Sequence, residues 1–307
     1  MASLSHRQGW SFAVLLAVFP CVFFASATND APTVTYRAST SEVRVAFFAT
    51  DQTNRLVEAI DRNDFAVVDG EAVIRDFRSL MRSEETPLDI VVLVDASESV
   101  APRYPVVARD VEQLVADSSR NATDTISVIT FAGVKPAVVC ASTCTATAVS
   151  QKLTATAAAG STPLFDALSF AAQLMSERAT PGMRQVLILF SDGDDTISAT
   201  SPRDALESIV ATGAIFYTVD VHALRHDTDG KHWLDQIADA TGGRNFPFQL
   251  GEADILHAVL ADLRASYVVT YQLPSRSAGF HALRILPKHN LNLRFHCRRG
   301  YFYEETR

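Results

Sequence analysis

The middle of the chain alternates between two kinds of hydrophobic pattern. Continuous apolar runs at 89–95 and 185–190 are typical of parallel strands that are buried on both faces of a sheet. Segments with helical periodicity, such as 106–116 and 163–177, separate these runs. Further strands are predicted at 125–131, 136–139 and 215–221, and further helices at 202–212, 233–241 and 253–265. The alternation predicts an α/β domain with an open, doubly wound and mostly parallel central sheet.

The two ends of the chain have a different pattern, which predicts strands alone. Before the α/β region, strands are expected at 42–50, 65–68 and 72–77, with Asp69-Gly70 as a hairpin turn. After it, strands are expected at 266–273, 281–286, 291–296 and 299–303. Because two or three strands alone are marginally stable, we expect the halves to complete one small β-sandwich into which the α/β domain is inserted. The predicted boundaries are 28–86, 87–265 and 266–307.

The first residues have the pattern of an export signal. His6 and Arg7 precede an apolar run at 12–24, and Ala25-Ser26-Ala27 is a small-x-small cleavage site. The alternative is a membrane anchor, but the run is shorter than the roughly 20 residues that span a bilayer. Residues 1–27 are therefore predicted to be removed. The mature protein is expected in the periplasm, at the cell surface or in the medium, with no stable membrane span.

Composition and charge narrow the classes of partner. Hydrophobic residues make up 48% of the 307 residues and charged residues 20%, which is ordinary for a globular protein. The formal net charge is -8 and the sequence has no basic run, so a nucleic-acid partner is not expected. Export would allow Cys140 and Cys144, four positions apart around a predicted turn, to form a disulfide.

Three short polar segments lie where ligands bind in open parallel sheets. Two of them follow apolar strands and one begins a helix, for which Ser161 or Thr162 is the predicted N-cap and Pro163 the first helical residue. Ligands bind outside the carboxyl ends of the strands, so we expect the segments to converge there. The segments are Asp95-Ala-Ser97-Glu-Ser99, Gly160-Ser161-Thr162-Pro163 and Ser191-Asp192-Gly193.

The chemistry of these segments is that of a hard-oxygen cation site. The candidate ligands among them are two carboxylates and three hydroxyls, without His or Cys. Such ligands suit Mg²⁺, Mn²⁺ or Ca²⁺ better than zinc.

Taken together, DASES, the Gly-Ser-Thr turn and SDG after VLILF resemble the metal-ion-dependent adhesion site of von Willebrand factor A (VWA) domains. The resemblance covers residues 87–265 and implies a Rossmann-like fold and a non-enzymatic adhesion protein. It implies Mg²⁺ as the cation, with Mn²⁺ or Ca²⁺ as alternatives. By this resemblance, three hydroxyls ligate the metal directly: those of Ser97, Ser99 and Thr162. Two carboxylates hold it through water: those of Asp95 and Asp192. A protein partner would add an Asp or Glu to the metal.

The flanking segments resemble a bacterial family of exported VWA-related proteins. The similar residues are Asp64-Phe65 to Asp69-Gly70, the stretch Ser266-Tyr-Val-Val-Thr-Tyr, and Gly300-Tyr301 near the end. Glu98 departs from that family, in which Gly is common at this position. It is expected to point to solvent, where it repels an acidic partner, caps the metal of a neighbouring molecule or remains inert. Asp194 is a candidate second-layer residue that supports the metal ligands.

Two alternatives come from other polar clusters. The run Asp192-Gly-Asp194-Asp-Thr196 resembles the nucleophile loop of haloacid-dehalogenase-type phosphatases, which use Mg²⁺. Such an enzyme also needs a downstream lysine and carboxylates; Lys231 and Asp235 lie on a predicted helix start, and DASES would have no role. A histidine group could form a second metal site or a polar loop, and it consists of His222, His226 and His232.

Overall fold

The computed structural model describes residues 42–82, 86–117, 122–180, 182–221, 229–247 and 252–303. All of these residues belong to one compact unit. The predicted signal segment at 1–27 lies outside the described residues, so its cleavage stays a prediction. Within the described ranges, no helix has both the length and the apolar character needed to cross a membrane.

The described chain contains the following helices and strands. The strands are β1 (Glu42–Thr50), β2 (Phe65–Asp69), β3 (Ala72–Ile74), β4 (Ser79–Arg82), β5 (Leu88–Asp95), β6 (Thr125–Phe131), β7 (Ala137–Cys140), β8 (Arg184–Ser191), β9 (Ile215–Asp220), β10 (Asn245–Pro247), β11 (Tyr267–Gln272), β12 (Gly279–Pro287), β13 (Arg294–Cys297) and β14 (Gly300–Tyr303). The helices are α1 (Tyr104–Ala116), α2 (Ala146–Ala155), α3 (Leu164–Glu177), α4 (Pro202–Thr212), α5 (Asp229–Thr241) and α6 (Glu252–Arg264).

The central sheet has six strands in the order β10-β9-β8-β5-β6-β7. All neighbouring pairs are parallel except β6 and β7, which are antiparallel. All eight residues of β5 are buried, as its continuous apolar run predicts. The predicted doubly wound, mostly parallel sheet is therefore confirmed, and β5 lies between β8 and β6, which carry neighbouring loops to the same edge.

Helices cover both faces of this sheet and form two separate hydrophobic cores. On one face the core takes side chains from α1, α2 and α6, including Val111, Leu153 and Leu263. On the other face it takes side chains from α3, α4 and α5, including Leu168 and Ile209. Helix α2 was not predicted, because its apolar periodicity is weak and only Val149 and Leu153 are buried.

Two further sheets are built from the ends of the chain. Their orders are β13-β1-β11-β4 and β14-β12-β2-β3, and every pairing within them is antiparallel. One core takes side chains from both sheets, and its aromatic rings include Phe47, Phe65, Tyr267 and Phe295. Strands from before and after the α/β region thus pair with each other within each sheet.

A buried ion pair joins the α/β region to these sheets. The guanidinium of Arg244 donates two hydrogen bonds of 2.7 Å to the carboxylate of Asp262 on α6. Its remaining terminal nitrogen donates to the carbonyl oxygen of Asn54, also at 2.7 Å, in the turn after β1. Burial raises the pKa of Asp262 to about 7, although the nearby guanidinium lowers it. Arg244 therefore both neutralises a buried carboxylate and links the two parts of the fold.

Cys140, the last residue of β7, forms a disulfide with Cys144, which lies just before α2. The third cysteine of the described chain, Cys297, is a free thiol on β13. Burial raises the pKa of Cys297 to about 11, which keeps this thiol protonated and unreactive at neutral pH.

We expect Arg244→Ala to lower the free energy of unfolding by about 3–5 kcal/mol, because it leaves the Asp262 carboxylate buried without its charge partner. Urea unfolding followed by circular dichroism measures the change. The control is Arg203→Ala, which removes an exposed ion pair with Glu207 on α4 and should leave the unfolding midpoint nearly unchanged. Equal midpoints for the two variants would contradict the assigned role of Arg244.

Candidate metal centre

The first loop of the candidate site follows β5, which delivers the Asp95 side chain to the sheet edge with only 2% of its surface exposed. Both carboxylate oxygens have partners. The amide of Ser97 donates to Oδ1 at 2.9 Å, and the hydroxyl of Ser191 donates to Oδ2 at 2.7 Å. The hydroxyl oxygens of Ser97 and Ser99 lie 3.1 Å apart. Asp95 is therefore held in one position, with two serine hydroxyls side by side next to it.

The electrostatics of Asp95 favour a nearby positive charge. Burial raises the pKa of this carboxyl to about 6, and the negative charge of Asp192 raises it further. The hydrogen bonds from Ser97 and Ser191 act in the opposite direction. Without a cation, the ionised form of Asp95 is therefore destabilised at this position.

The second loop, Gly160 to Thr162, is held between loops from neighbouring strands. The amide of Glu98 donates to the Gly160 carbonyl at 3.1 Å, and the amide of Gly133 donates to the Ser161 carbonyl at 2.8 Å. Gly160 has a φ of +89°, a left-handed conformation that glycine adopts without strain. The loops after β5 and β6 thus hold the backbone of the two residues that precede Thr162.

The third loop, after β8, completes the ring of contacts. The Thr162 amide donates to the Thr196 hydroxyl oxygen at 2.8 Å, and the Thr196 amide donates to the Thr162 carbonyl at 2.9 Å. At the start of the same loop, Ser191 donates to Asp95. Each of the three loops is therefore hydrogen-bonded to the other two, as their common position at the carboxyl edge predicted.

The start of α3 differs from the prediction. The helix begins at Leu164 with Pro163 as N-cap, and neither Ser161 nor Thr162 caps it with its side chain. The third loop satisfies the free amides instead, since Asp195 Oδ1 accepts from the Leu164 amide at 2.8 Å. The hydroxyl of Ser198 accepts from the next two amides at 3.0 and 3.2 Å. The Thr162 hydroxyl is therefore not used for capping.

Asp192 and Gly193 lie where the third loop leaves β8. Asp192 is buried, and its Oδ1 accepts a hydrogen bond of 3.2 Å from the Asp194 amide. Gly193 has a φ of +81° and packs closely against the start of α5. A Cβ atom on Gly230 would lie 1.6 Å from the Gly193 carbonyl oxygen, so only glycine fits at position 230. Helix α5 therefore supports the third loop from behind.

The structure brings all the predicted residues to this one edge of the sheet. Four of them are buried: Asp95, Ser97, Thr162 and Asp192. Ser99 is exposed, next to Ser97. Two other candidates differ in exposure: Asp194 is half-buried, and Glu98 is exposed. The described residues contain no group of three or more His, Cys, Asp or Glu side chains arranged to hold a metal ion. A cation here would depend on hydroxyl oxygens together with two carboxylates.

The residues of the two alternatives have other partners or lie outside the described chain. Lys231, the lysine considered for a phosphatase, forms an ion pair with Asp220 at 3.3 Å. Asp235 accepts a hydrogen bond from Asn245 on the edge strand β10. His232 is hydrogen-bonded to Gln236 one turn along α5. The remaining members of the histidine group, at positions 222 and 226, lie outside the described residues.

Sequence reasoning assigned no supporting role in this centre to four residues: Ser191, Asp195, Thr196 and Ser198. All of them belong to the polar stretch 191–198, which directly follows an apolar strand. Side chains of this kind form local caps and turns, so the stretch itself was the available signal. Their partners on β5, in the second loop and on α3 are distant in sequence and could not be identified from it.

Comparison with known proteins gives one family match. The family model for the von Willebrand factor type A domain matches residues 89–261. This segment contains all three loops of the candidate centre. No curated protein matches the sequence.

Several solved structures are distantly similar. A von Willebrand factor type A protein from Catenulispora acidiphila is 14% identical, with 87% of this chain and 76% of that chain covered and a TM-score of 0.47. An aerotolerance-related membrane protein from Bacteroides fragilis is 17% identical, with 57% and 98% covered and a TM-score of 0.44. Proximal thread matrix protein 1 from the mussel byssus, with a zinc-occupied MIDAS motif, is 17% identical, with 63% and 50% covered and a TM-score of 0.47.

These structural similarities are too distant to support an argument about function. The family match is different in kind, because it spans more than half of the chain and coincides with the described α/β fold. The chain belongs to the von Willebrand factor type A domain family.

Proposed function

We propose that this chain is a non-enzymatic, adhesion-type protein that binds an acidic group of a protein partner through one divalent cation. The cation that we propose is Mg²⁺. The observation that carries the proposal is the convergence of three hydrogen-bonded loops around a buried carboxylate, Asp95. Mn²⁺ and Ca²⁺ suit the same oxygen ligands and remain alternatives.

The donor set fits such a cation. Burial makes the Asp95 charge costly, and a bound cation would offset this cost. The proposed direct ligands are the hydroxyls of Ser97, Ser99 and Thr162. The proposed indirect ligands, which act through water, are the carboxylates of Asp95 and Asp192. We assign Asp194 a supporting role, since its amide orients the Asp192 carboxylate.

The chemistry of the ligands also supports the type of partner. Neutral hydroxyls as direct ligands leave much of the cation's charge uncompensated, which favours a carboxylate from another molecule. Ser99 and Glu98 are exposed beside the site, so a partner has access to this edge of the sheet. We therefore propose that the partner supplies an Asp or Glu side chain to the cation.

We also propose an extracytoplasmic location, in the periplasm, at the cell surface or in the medium, after removal of residues 1–27. The Cys140–Cys144 disulfide supports this location, because disulfides persist in oxidising compartments. In the proposed domain organisation, residues 87–265 carry the cation, while 28–86 and 266–307 together form one β domain.

Calorimetric titration with MgCl₂ tests the cation site directly. We expect saturable one-site binding by the purified protein and loss of that binding in Thr162→Ala, because this variant removes one direct ligand. The matched control is Thr180→Ala, which removes a hydroxyl that donates only to the Arg178 carbonyl. It lies past the far end of the 14-residue helix α3, about 20 Å away. Unchanged Mg²⁺ binding in the Thr162 variant would contradict the ligand assignment.

The affinity for Mg²⁺ should depend on pH around the raised pKa of Asp95. The pKa of this carboxyl is raised to about 6. When the pH falls below this value, the carboxyl takes up a proton that the cation has to displace. We therefore expect affinity to be about tenfold weaker at pH 5 than at pH 7.5, measured by the same titration. Circular dichroism at both pH values controls for loss of fold. Equal affinities would mean that cation binding does not require ionisation of Asp95.

A further inference from the structure

Two exposed apolar side chains lie beside the candidate metal centre. Val134 is 83% exposed and Ile197 is 46% exposed. Val134 directly follows Gly133, whose amide donates to the Ser161 carbonyl. Ile197 directly follows Thr196, which is hydrogen-bonded to Thr162. Both apolar residues are therefore adjacent to the second loop of the centre.

The order of the strands places these residues on opposite sides of that loop. Val134 lies on the loop after β6 and Ile197 on the loop after β8, and these strands flank β5 on its two sides. Single exposed apolar residues are common on protein surfaces. Other large exposed hydrophobics of the described residues are elsewhere, on β3, β4, β7, β12 or the turn before β13: Val73, Met81, Val138, Phe280, Leu286 and Leu291.

An acidic residue borders the same loop. Glu98 is exposed, and its amide donates to the Gly160 carbonyl at 3.1 Å. Glu98 precedes the exposed Ser99 in the chain, at the edge of the sheet where a partner carboxylate would reach the cation. A second acidic side chain on the partner would approach this negative charge without a cation between them, and like charges repel each other.

We propose that the partner segment carries a single carboxylate flanked by large apolar residues, and that these pack against Val134 on one side of the second loop and against Ile197 on the other. Glu98 in turn disfavours partners with a second adjacent acid. This inference rests on the proposed function, since it assumes that a partner carboxylate binds the cation. It makes the two apolar residues and Glu98 determinants of specificity, separate from the cation ligands.

Short immobilised peptides provide the probe. Three peptides of equal length each contain a central aspartate, flanked by leucine, by serine or by glutamate, and binding of the purified protein is measured in MgCl₂ and in EDTA. Burial of roughly 30–50 Å² of apolar surface predicts that the leucine peptide binds about three- to tenfold more tightly than the serine peptide. The glutamate peptide should bind most weakly, and EDTA should abolish all binding.

Variants separate the apolar contact from the cation site. Val134→Ser and Ile197→Ser should reduce the preference for leucine over serine towards onefold, with Mg²⁺ titration unchanged. Leu291→Ser is the matched control, because Leu291 is 75% exposed but lies on the turn between β12 and β13. It should leave the preference intact. Glu98→Gln should raise binding of the glutamate peptide towards that of the serine peptide.

Two results would overturn the inference in distinguishable ways. Equal Mg²⁺-dependent binding of all three peptides would remove the specificity proposal and leave the proposed cation-mediated function standing. Absence of Mg²⁺ binding in the calorimetric titration, together with peptide binding that EDTA does not affect, would remove the proposed function and this inference with it.

Discussion

A carboxylate buried at the end of a fully buried strand is the feature on which the rest of the α/β region depends. Asp95 terminates β5, and its burial would be unfavourable without compensation. Part of the compensation is a hydrogen bond from Ser191, which ties the end of β8 to the end of β5. The remainder calls for positive charge at the same edge. A cation at the proposed site, where the three loops meet, would supply this charge.

The hydrogen bonds around this carboxylate divide the polar residues into two groups. One group supports the loops: Asp195 and Ser198 accept hydrogen bonds from the free amides of α3, and Thr196 is hydrogen-bonded to the backbone of Thr162. The other group, which includes the Thr162 hydroxyl, consists of the proposed cation ligands. Because the supporting contacts connect separate loops, the proposed ligands would be in position before a cation binds, which would reduce the entropy cost of binding.

Sequence patterns identified five of the six strands of the central sheet, all except β10, and the convergence of the three polar segments at its carboxyl edge. Continuous apolar runs identified β5 and β8, and the polar residues that follow them identified the edge. Local patterns could not identify contacts between distant segments. Helix α2 has only two buried residues, and the amides of α3 are capped from a loop about 30 residues later. The contact of Arg244 with Asp262 and Asn54 depends equally on tertiary packing.

The pairing of strands from the two ends of the chain has a consequence for biosynthesis. Thr50 on β1 is hydrogen-bonded to His296 on β13 at 3.0 Å, although the residues are 246 positions apart. Strand β1 has no native neighbour until β11 and β13 have been made. An early-folding α/β region would shorten the effective loop between these strands and lower the entropy cost of joining them. Until then, the apolar strand β1 is an open edge that needs protection from other chains, so a delay in completing the C-terminal strands exposes a site for aggregation.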